Sequence, residues 1–383
     1  MADKFRFYEF FAGGGMASLG LGPQWKCVYV NEWCKKKARS YEINHGGAPR
    51  VDVRDVAQAT PADLKENADL AWASFPCQDL SLAGNGKGLQ GARSGTFWPF
   101  WDLMKELDSL GRGVPVIVLE NVVGALSSNK GEDFKVLAKA LSSAGYCFGP
   151  LVMNAVHFTP QSRPRLFIVA CKKAVLIPES LRREGPDGFW HTPKAAQAYN
   201  SLPASTKKDW IWWNLPRPEP RKVELADLIE DAPQSVSLYT PEETKRILSM
   251  MSEANINKVE AVKKSGKITV GTVYKRTRKD SDGNRVQRAE VRFDQISGCL
   301  RTPAGGSSRQ ILMIVNGKDV SARLISTREA ARLMGLPDDY QLPQKYNEAY
   351  HLIGDGLAVP VVSWLADHLL YPLASVNNAA KEE

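Results

Sequence analysis

Between residues 5 and 170, short apolar runs alternate with helix-forming segments, and few folds accommodate that rhythm. Phe5–Phe11, Lys26–Asn31, Leu70–Ser74, Pro115–Glu120 and Arg165–Cys171 are rich in Val, Ile, Phe or Leu and bounded by Gly, Pro or charge. Such runs predict buried strands. Segments with helical spacing, such as Cys34–Asn44 and Phe134–Ala144, lie between them. Strands alternating with helices predict an α/β fold on a parallel sheet. Open sheets of that kind bind ligands beyond the carboxyl ends of their strands, so residues there carry the functional reading.

The rhythm breaks after Lys172. Residues 178 to 223 bring many prolines and four tryptophans, Trp190, Trp210, Trp212 and Trp213, with little periodicity. The last three read as local core rather than as platforms for stacked bases. From Lys258 to Arg288 there are ten basic residues against three acidic, closing on the turn-like Asp282-Gly283-Asn284. The expected division is 1–171, a smaller second domain of strands and long loops over 172–290, and a return segment, 291–383, that completes the first. Thr327–Met334 and Val361–Leu370 predict closing helices, and Ala374–Glu383 a frayed tail.

A formal net charge of +8 suits a polyanionic partner, although composition alone does not establish one. The six cysteines, 27, 34, 77, 147, 171 and 299, include no C-x-x-C pair. That argues against a disulfide scaffold or a zinc ribbon, and for a reducing cytoplasm. No metal site is expected. No run approaches the roughly 20 apolar residues that span a bilayer, and MADKFRFYEF lacks the apolar region of a signal peptide.

Four constellations carry chemistry. The first is FFAGGGMASLGLG, residues 10–22, where a strand runs into glycines and then a helix. Phe11, Ala12, Gly13 and Gly15 would let the backbone approach a ligand, although a tight strand-to-helix turn gives the same letters. The next strand ends at Asn31-Glu32-Trp33, where Glu32 could accept from both ribose hydroxyls of an adenosine. A solvated glutamate is the plainer alternative for one such residue. The third strand end, Asp52-Val53, could take the adenine amino group and cover the ring. No Walker lysine follows the glycines, which argues for an adenosine without a phosphate chain.

The second is Phe75-Pro76-Cys77-Gln78. A free thiol has a pKa of about 8.5, so Cys77 needs a site that favours its anion before it can act as a nucleophile. Most cysteines are inert and buried, but Pro76 fixes the backbone before this one, and Gly84, Gly86, Gly88 and Gly91 follow it. That pattern reads as a held nucleophile under a glycine-hinged lid. The third is Val116–Val122, which sets Glu120 at a strand's carboxyl end. The fourth is Gln161-Ser162-Arg163-Pro164-Arg165, whose alternate arginines could grip a carbonyl oxygen or phosphate. Surface salt bridges are the alternative there.

Taken together, FAGGG, NEW, the D-V strand end, FPCQ-x-x-S, ENV, Q-S-R-P-R and the late YHLIGDGLAVPVV resemble the DNA (cytosine-5) methyltransferases. They stand in that family's order over nearly the whole chain except residues 172–290, where the family keeps its target-recognition domain. The resemblance implies a Rossmann-like sheet with an added antiparallel strand. It implies S-adenosyl-L-methionine as cofactor, S-adenosyl-L-homocysteine as product, and a flipped-out cytosine in double-stranded DNA as substrate. Cys77 would add to C6, Glu120 would serve N3 and the exocyclic amine, and Arg165, less directly Arg163, would hold O2. Pro76, Phe97, Asp355 and Leu357 join the cofactor set. Gln78, Ser81, Gln161, Arg301, Ser307 and Arg309 are expected at the DNA. A bacterial or phage protein, monomeric and nucleoid-associated, follows from the same resemblance, with a cognate restriction endonuclease as a possible partner.

Two residues depart from the family. Met16 stands where it often has another glycine, and Asp355 where it usually has Asn. A tRNA cytosine methyltransferase is the nearest rival, but its Cys-Phe-Thr signature is absent here. A catalytically silent DNA-binding regulator would be expected to have lost one of Cys77, Glu120 or Arg165. A dehydrogenase would share the glycine turn and find no use for P-C-Q or Q-x-R-x-R.

Overall fold

The computed structural model describes residues 4–76, 96–279, 283–302 and 309–382, with side chains to Asn378. Contacts divide the chain into two compact units. One holds Met1–Asn154, Pro164–Pro218 and Val361–Glu383; the other holds Ala155–Arg163 and Glu219–Pro360.

The first unit is built on a six-stranded sheet: β1 (Phe5–Phe10), β2 (Trp25–Asn31), β3 (Leu70–Ala73), β4 (Val116–Asn121), β5 (Tyr146–Asn154) and β6 (Pro164–Lys172). Their order is β2-β1-β3-β4-β6-β5. The first four run parallel, and β6 lies antiparallel between β4 and β5. This is the added antiparallel strand that the resemblance implied. An isolated parallel bridge, Asn31↔Asp52, extends the sheet beyond β2. Strands covered on both faces read as continuous apolar runs, as in Leu70–Ala73, buried at every position. Helices α1 (Met16–Leu21), α2 (Lys35–Asn44), α3 (Phe97–Ser109) and α4 (Glu132–Ser143) fill the crossovers.

β5 escapes the sequence pattern because Gly149 and Pro150 punctuate it. A proline is tolerated on an edge strand. Gly149 is required by close approach, since a Cβ there would lie 2.0 Å from the Ile211 carbonyl oxygen. Residues 172–218 consequently pack on this sheet rather than in the second unit, which moves the expected boundary. Trp213 is fully buried and donates to the Gly149 and Val169 carbonyls at 3.1 and 3.3 Å, so the tryptophans are core. Tyr371–Glu382 is helical, which corrects the frayed tail. By length and apolarity alone the run Tyr346–Asn378 could cross a membrane, and 56% of its apolar window is buried inside the protein, as in a core helix.

The second unit is an antiparallel sheet of four strands, ordered as Arg285–Arg292, Thr269–Lys279, Ile311–Asn316 and Asp319–Leu324. Helices Pro241–Ser249 and Glu253–Ser265 close its core around Ile247, Val259, Val273, Val291 and Met313. Residues 291–360 belong here, not to a return segment of the first unit. Only Val361 onward returns.

Candidate active site

The glycine turn leaves β1 through three left-handed residues, Phe11 (φ 56), Gly13 (φ 59) and Gly15 (φ 81). A phenylalanine in that region is strained, and such strain persists where the surroundings enforce it. Sequence carries no signal for it. A Cβ on Gly13 would meet nothing within 4 Å, so the backbone there borders open space. Glu32, at the end of β2, accepts from the Gly13 and Cys34 amides, both at 2.8 Å. These two bonds fix its carboxylate beside the turn and leave lone pairs for further donors. Trp33 is 71% exposed and Val53 40%, so both apolar faces are open to a ligand at this edge of the sheet. The Asp52 carboxylate is less available than expected. Its Oδ2 accepts from Tyr29 Oη and Arg54 Nε, each at 2.7 Å, which leaves Oδ1 for a ligand. The fit to an adenosine-bearing cofactor is therefore good at Gly13, Glu32 and Trp33. Phe97 differs. Its ring is fully buried against Phe75, Trp98 and Trp101, which places it in the core rather than on a ligand. Met16, one of the two residues that depart from the family, is also buried.

At the neighbouring strand ends, β4 delivers Glu120 and β6 delivers Arg165. Their side chains meet with Nε 3.3 Å from Oε1, each mostly buried. Antiparallel pairing of β4 with β6 brings residues 120 and 165 to the same end of the sheet. Asn121 adds a contact that sequence reasoning missed. Its Nδ2 donates to the Phe75 carbonyl at 3.3 Å while its Oδ1 accepts from the Val122 amide at 2.8 Å. The segment leading to position 77 is thereby tied beside Glu120, with Pro76 the last residue described. Cys77, Gln78, Ser81, the glycines 84, 86, 88 and 91 of the expected lid, and Ser307 lie outside the described residues.

The other two members of Q-S-R-P-R belong to the second unit and are corrected. Gln161 is fully buried, donates to the Leu333 carbonyl at 2.9 Å and accepts from the Leu300 amide at 3.2 Å. It is held within the protein, not at DNA. Arg163 is 2% exposed, and its guanidinium donates to the carbonyls of Leu300, Gly354 and Gly356 at 2.8, 2.9 and 2.6 Å. Donors so committed cannot grip a substrate oxygen. Proline between the two arginines marks where the chain passes from one unit to the other, so alternation does not put both on one face. Arg163 instead clamps the loop holding exposed Asp355, whose carboxylate accepts from Thr302 Oγ1, and buried Leu357.

Beyond the helix Glu253–Ser265, the basic run forms a hairpin whose register is informative. Arg285 pairs opposite Lys279, and Arg288 opposite Arg276. Like charges directly opposite destabilise a sheet. Glu290 offsets part of this, 3.6 Å from Arg276 and 3.0 Å from Arg278. Arg301 is exposed, whereas Arg309 is engaged by Asn347 and lies 5.8 Å from the Tyr346 ring centroid.

The family model for C-5 cytosine-specific DNA methylases matches residues 5–370. The chain belongs to this family. This DNA cytosine-5 methyltransferase is 25% identical over 368 residues to the type II methyltransferase M.HhaI of Haemophilus parahaemolyticus, covering 94% of this chain and 93% of that protein. It is 26% identical over 378 residues to M.NlaX of Neisseria lactamica, covering 98% and 99%. Among solved structures, S. pombe Dnmt2 superposes with TM-score 0.59 at 18% identity over 97% of this chain and 99% of that one. Entamoeba histolytica EhMeth gives 0.65 at 13% over 97% and 99%. At those identities the likeness concerns the fold. Membership implies S-adenosyl-L-methionine as the methyl source in general.

Proposed function

We propose that this methyltransferase modifies C5 of a flipped-out cytosine at a specific sequence in duplex DNA, through a transient bond between Cys77 and C6. The observation that carries the reading is the Glu120–Arg165 pair, 3.3 Å apart at the carboxyl edge of the sheet beside the strand leading to Cys77. Cytosine C5 is a weak nucleophile. Addition of the Cys77 thiolate to C6 moves an electron pair toward C5 and N3. Glu120 shares a proton with N3 and accepts from the exocyclic amine, and Arg165 holds O2, so the charge that develops on the ring is met. When bound, S-adenosyl-L-methionine supplies an electrophilic methyl group on a sulfonium. A base or water then takes the C5 proton, and the electron pair left behind expels Cys77 as thiolate. Covalent catalysis divides one hard step into easier ones. The base must leave the stacked duplex first, at a cost of a few kcal/mol.

Gly13, Glu32 and Trp33 would hold the adenosine end. The hairpin around Arg276, Arg278, Lys279, Arg285 and Arg288 would meet phosphates. Its like-charge pairs stand as repulsion that a polyanion relieves. Action as a monomer in a bacterial or phage-infected cytoplasm, beside a cognate restriction endonuclease, belongs to the same reading. Radiolabelled methyl transfer to duplex DNA and to tRNA tests it. Transfer to DNA at one sequence supports it, and transfer to tRNA alone would assign the rival activity.

A further inference from the structure

Beneath the glycine turn lies a support that no part of the proposed chemistry uses. Gly15 is the last left-handed residue before α1. A Cβ on Gly15 would fall 2.1 Å from His45 Nε2, 2.6 Å from His45 Cδ2 and 2.8 Å from Tyr41 Cδ2. The backbone of the turn therefore rests directly on the His45 ring. That ring is itself stacked on Tyr41, with centroids 4.3 Å apart and planes 28° apart. Tyr41 is buried, and its hydroxyl lies 2.9 Å from Ser18 Oγ, which donates to Glu9. The components come from three elements. Glu9 is on β1, Ser18 on α1, Tyr41 on α2 and His45 at that helix's C-terminal cap. The same two rings border an open hollow of about 440 Å³, together with Ser18 and Cys27. Of the two rings, His45 makes the closer approach to the turn, with Tyr41 next.

We propose that His45 is a positioning residue for the cofactor, its ring fixing the path of Gly13–Gly15 so that the turn stands in its binding geometry beside Glu32. The inference rests on the cofactor reading above. It also explains why position 15 is glycine for two separate reasons, the positive φ and the ring beneath. A ligand site that is pre-organised binds more tightly because less ordering is left to be done on binding.

The test is calorimetric titration of S-adenosyl-L-homocysteine into the full chain, with thermal melting recorded alongside. Wild-type binding establishes the cofactor reading, and its failure would sink that reading together with this one. His45→Gly should weaken binding about tenfold or more while the chain still melts cooperatively. His45→Gln, whose amide reaches the Nε2 position, should bind nearly as wild type. Gly15→Ala should lose roughly a hundredfold. Adding His45→Gly to Gly15→Ala should recover about tenfold of that, the remainder being the Tyr41 ring 2.8 Å from the new Cβ and alanine's aversion to the left-handed region. If His45→Gly fails to fold, His45→Ala serves in both comparisons. Wild-type affinity in the truncated variant, or a double variant no better than Gly15→Ala alone, would overturn the proposal.

Discussion

Replacing Arg163 by Leu distinguishes a structural clamp from a substrate ligand. The guanidinium makes three bonds to backbone carbonyls, at 2.6 to 2.9 Å, inside the second unit. Hydrogen bonds to a charged group contribute roughly 1.5–3 kcal/mol each, or about 5–9 kcal/mol in gross terms. Water entering the vacated site restores part of this, leaving about 3–5 kcal/mol, the usual cost of deleting one side of a buried charged cluster. A unit of this size loses about 2–4 °C of melting temperature per kcal/mol, so its transition should fall by roughly 6–20 °C. Scanning calorimetry reads the transition, and hydrogen exchange at residues 354–356 reads the local opening. Arg163→Lys keeps the charge but not the fork, and should recover less than half of the loss. A leucine variant that melts with wild type yet loses cytosine affinity would refute the clamp and return Arg163 to the substrate.

Other outcomes follow from the same geometry. Burial drives the Glu9 carboxyl from its ordinary 4.5 up to about 8. The folded chain then keeps a proton that the unfolded chain releases, so the stability Glu9 contributes is full below about pH 4.5 and declines as pH rises to about 8. Glu9→Gln should flatten that decline in denaturant melts and raise the midpoint at pH 8, and an unchanged slope would contradict the assignment. Lys279→Ala and Arg285→Ala should each weaken binding to all duplexes alike and reduce the salt slope by about 0.9. A change confined to one sequence would instead make them base readers. Asp355→Asn should improve affinity for a cofactor analogue carrying an extra carboxylate, measured by competition, because a neutral amide replaces an anion. No improvement would remove Asp355 from the cofactor's vicinity.

Much of the first unit was legible because its strands are buried on both faces and so spell unbroken apolar runs. Each of the five expected strands matches an observed one to within one residue at either end. β5 was not legible, since Gly149 and Pro150 imitate a turn and only the packing of Ile211 against it explains the glycine. The position of Glu120 and Arg165 near strand ends was legible, because the runs Pro115–Glu120 and Arg165–Cys171 end and begin on them. Arg163 was misread because a sequence gives the direction of alternate residues only while a strand continues, and this one begins at Pro164. Gln161, expected at the DNA from the resemblance, is buried on the Leu333 carbonyl and the Leu300 amide. The clamp of Asn121 on Phe75 and the left-handed Phe11 depend on contacts and dihedrals that leave no letter pattern.

The central claim is a bond between Cys77 and cytosine C6. Duplex DNA carrying 5-fluorocytosine tests it directly, because fluorine cannot leave C5 as a proton and the adduct cannot resolve. Incubated with S-adenosyl-L-methionine, the wild-type chain should form a denaturation-resistant complex whose mass equals protein plus methylated DNA. Cys77→Ala should form none while still binding the site. No adduct from wild type with methylatable DNA, or an adduct that survives Cys77→Ala, would contradict the account.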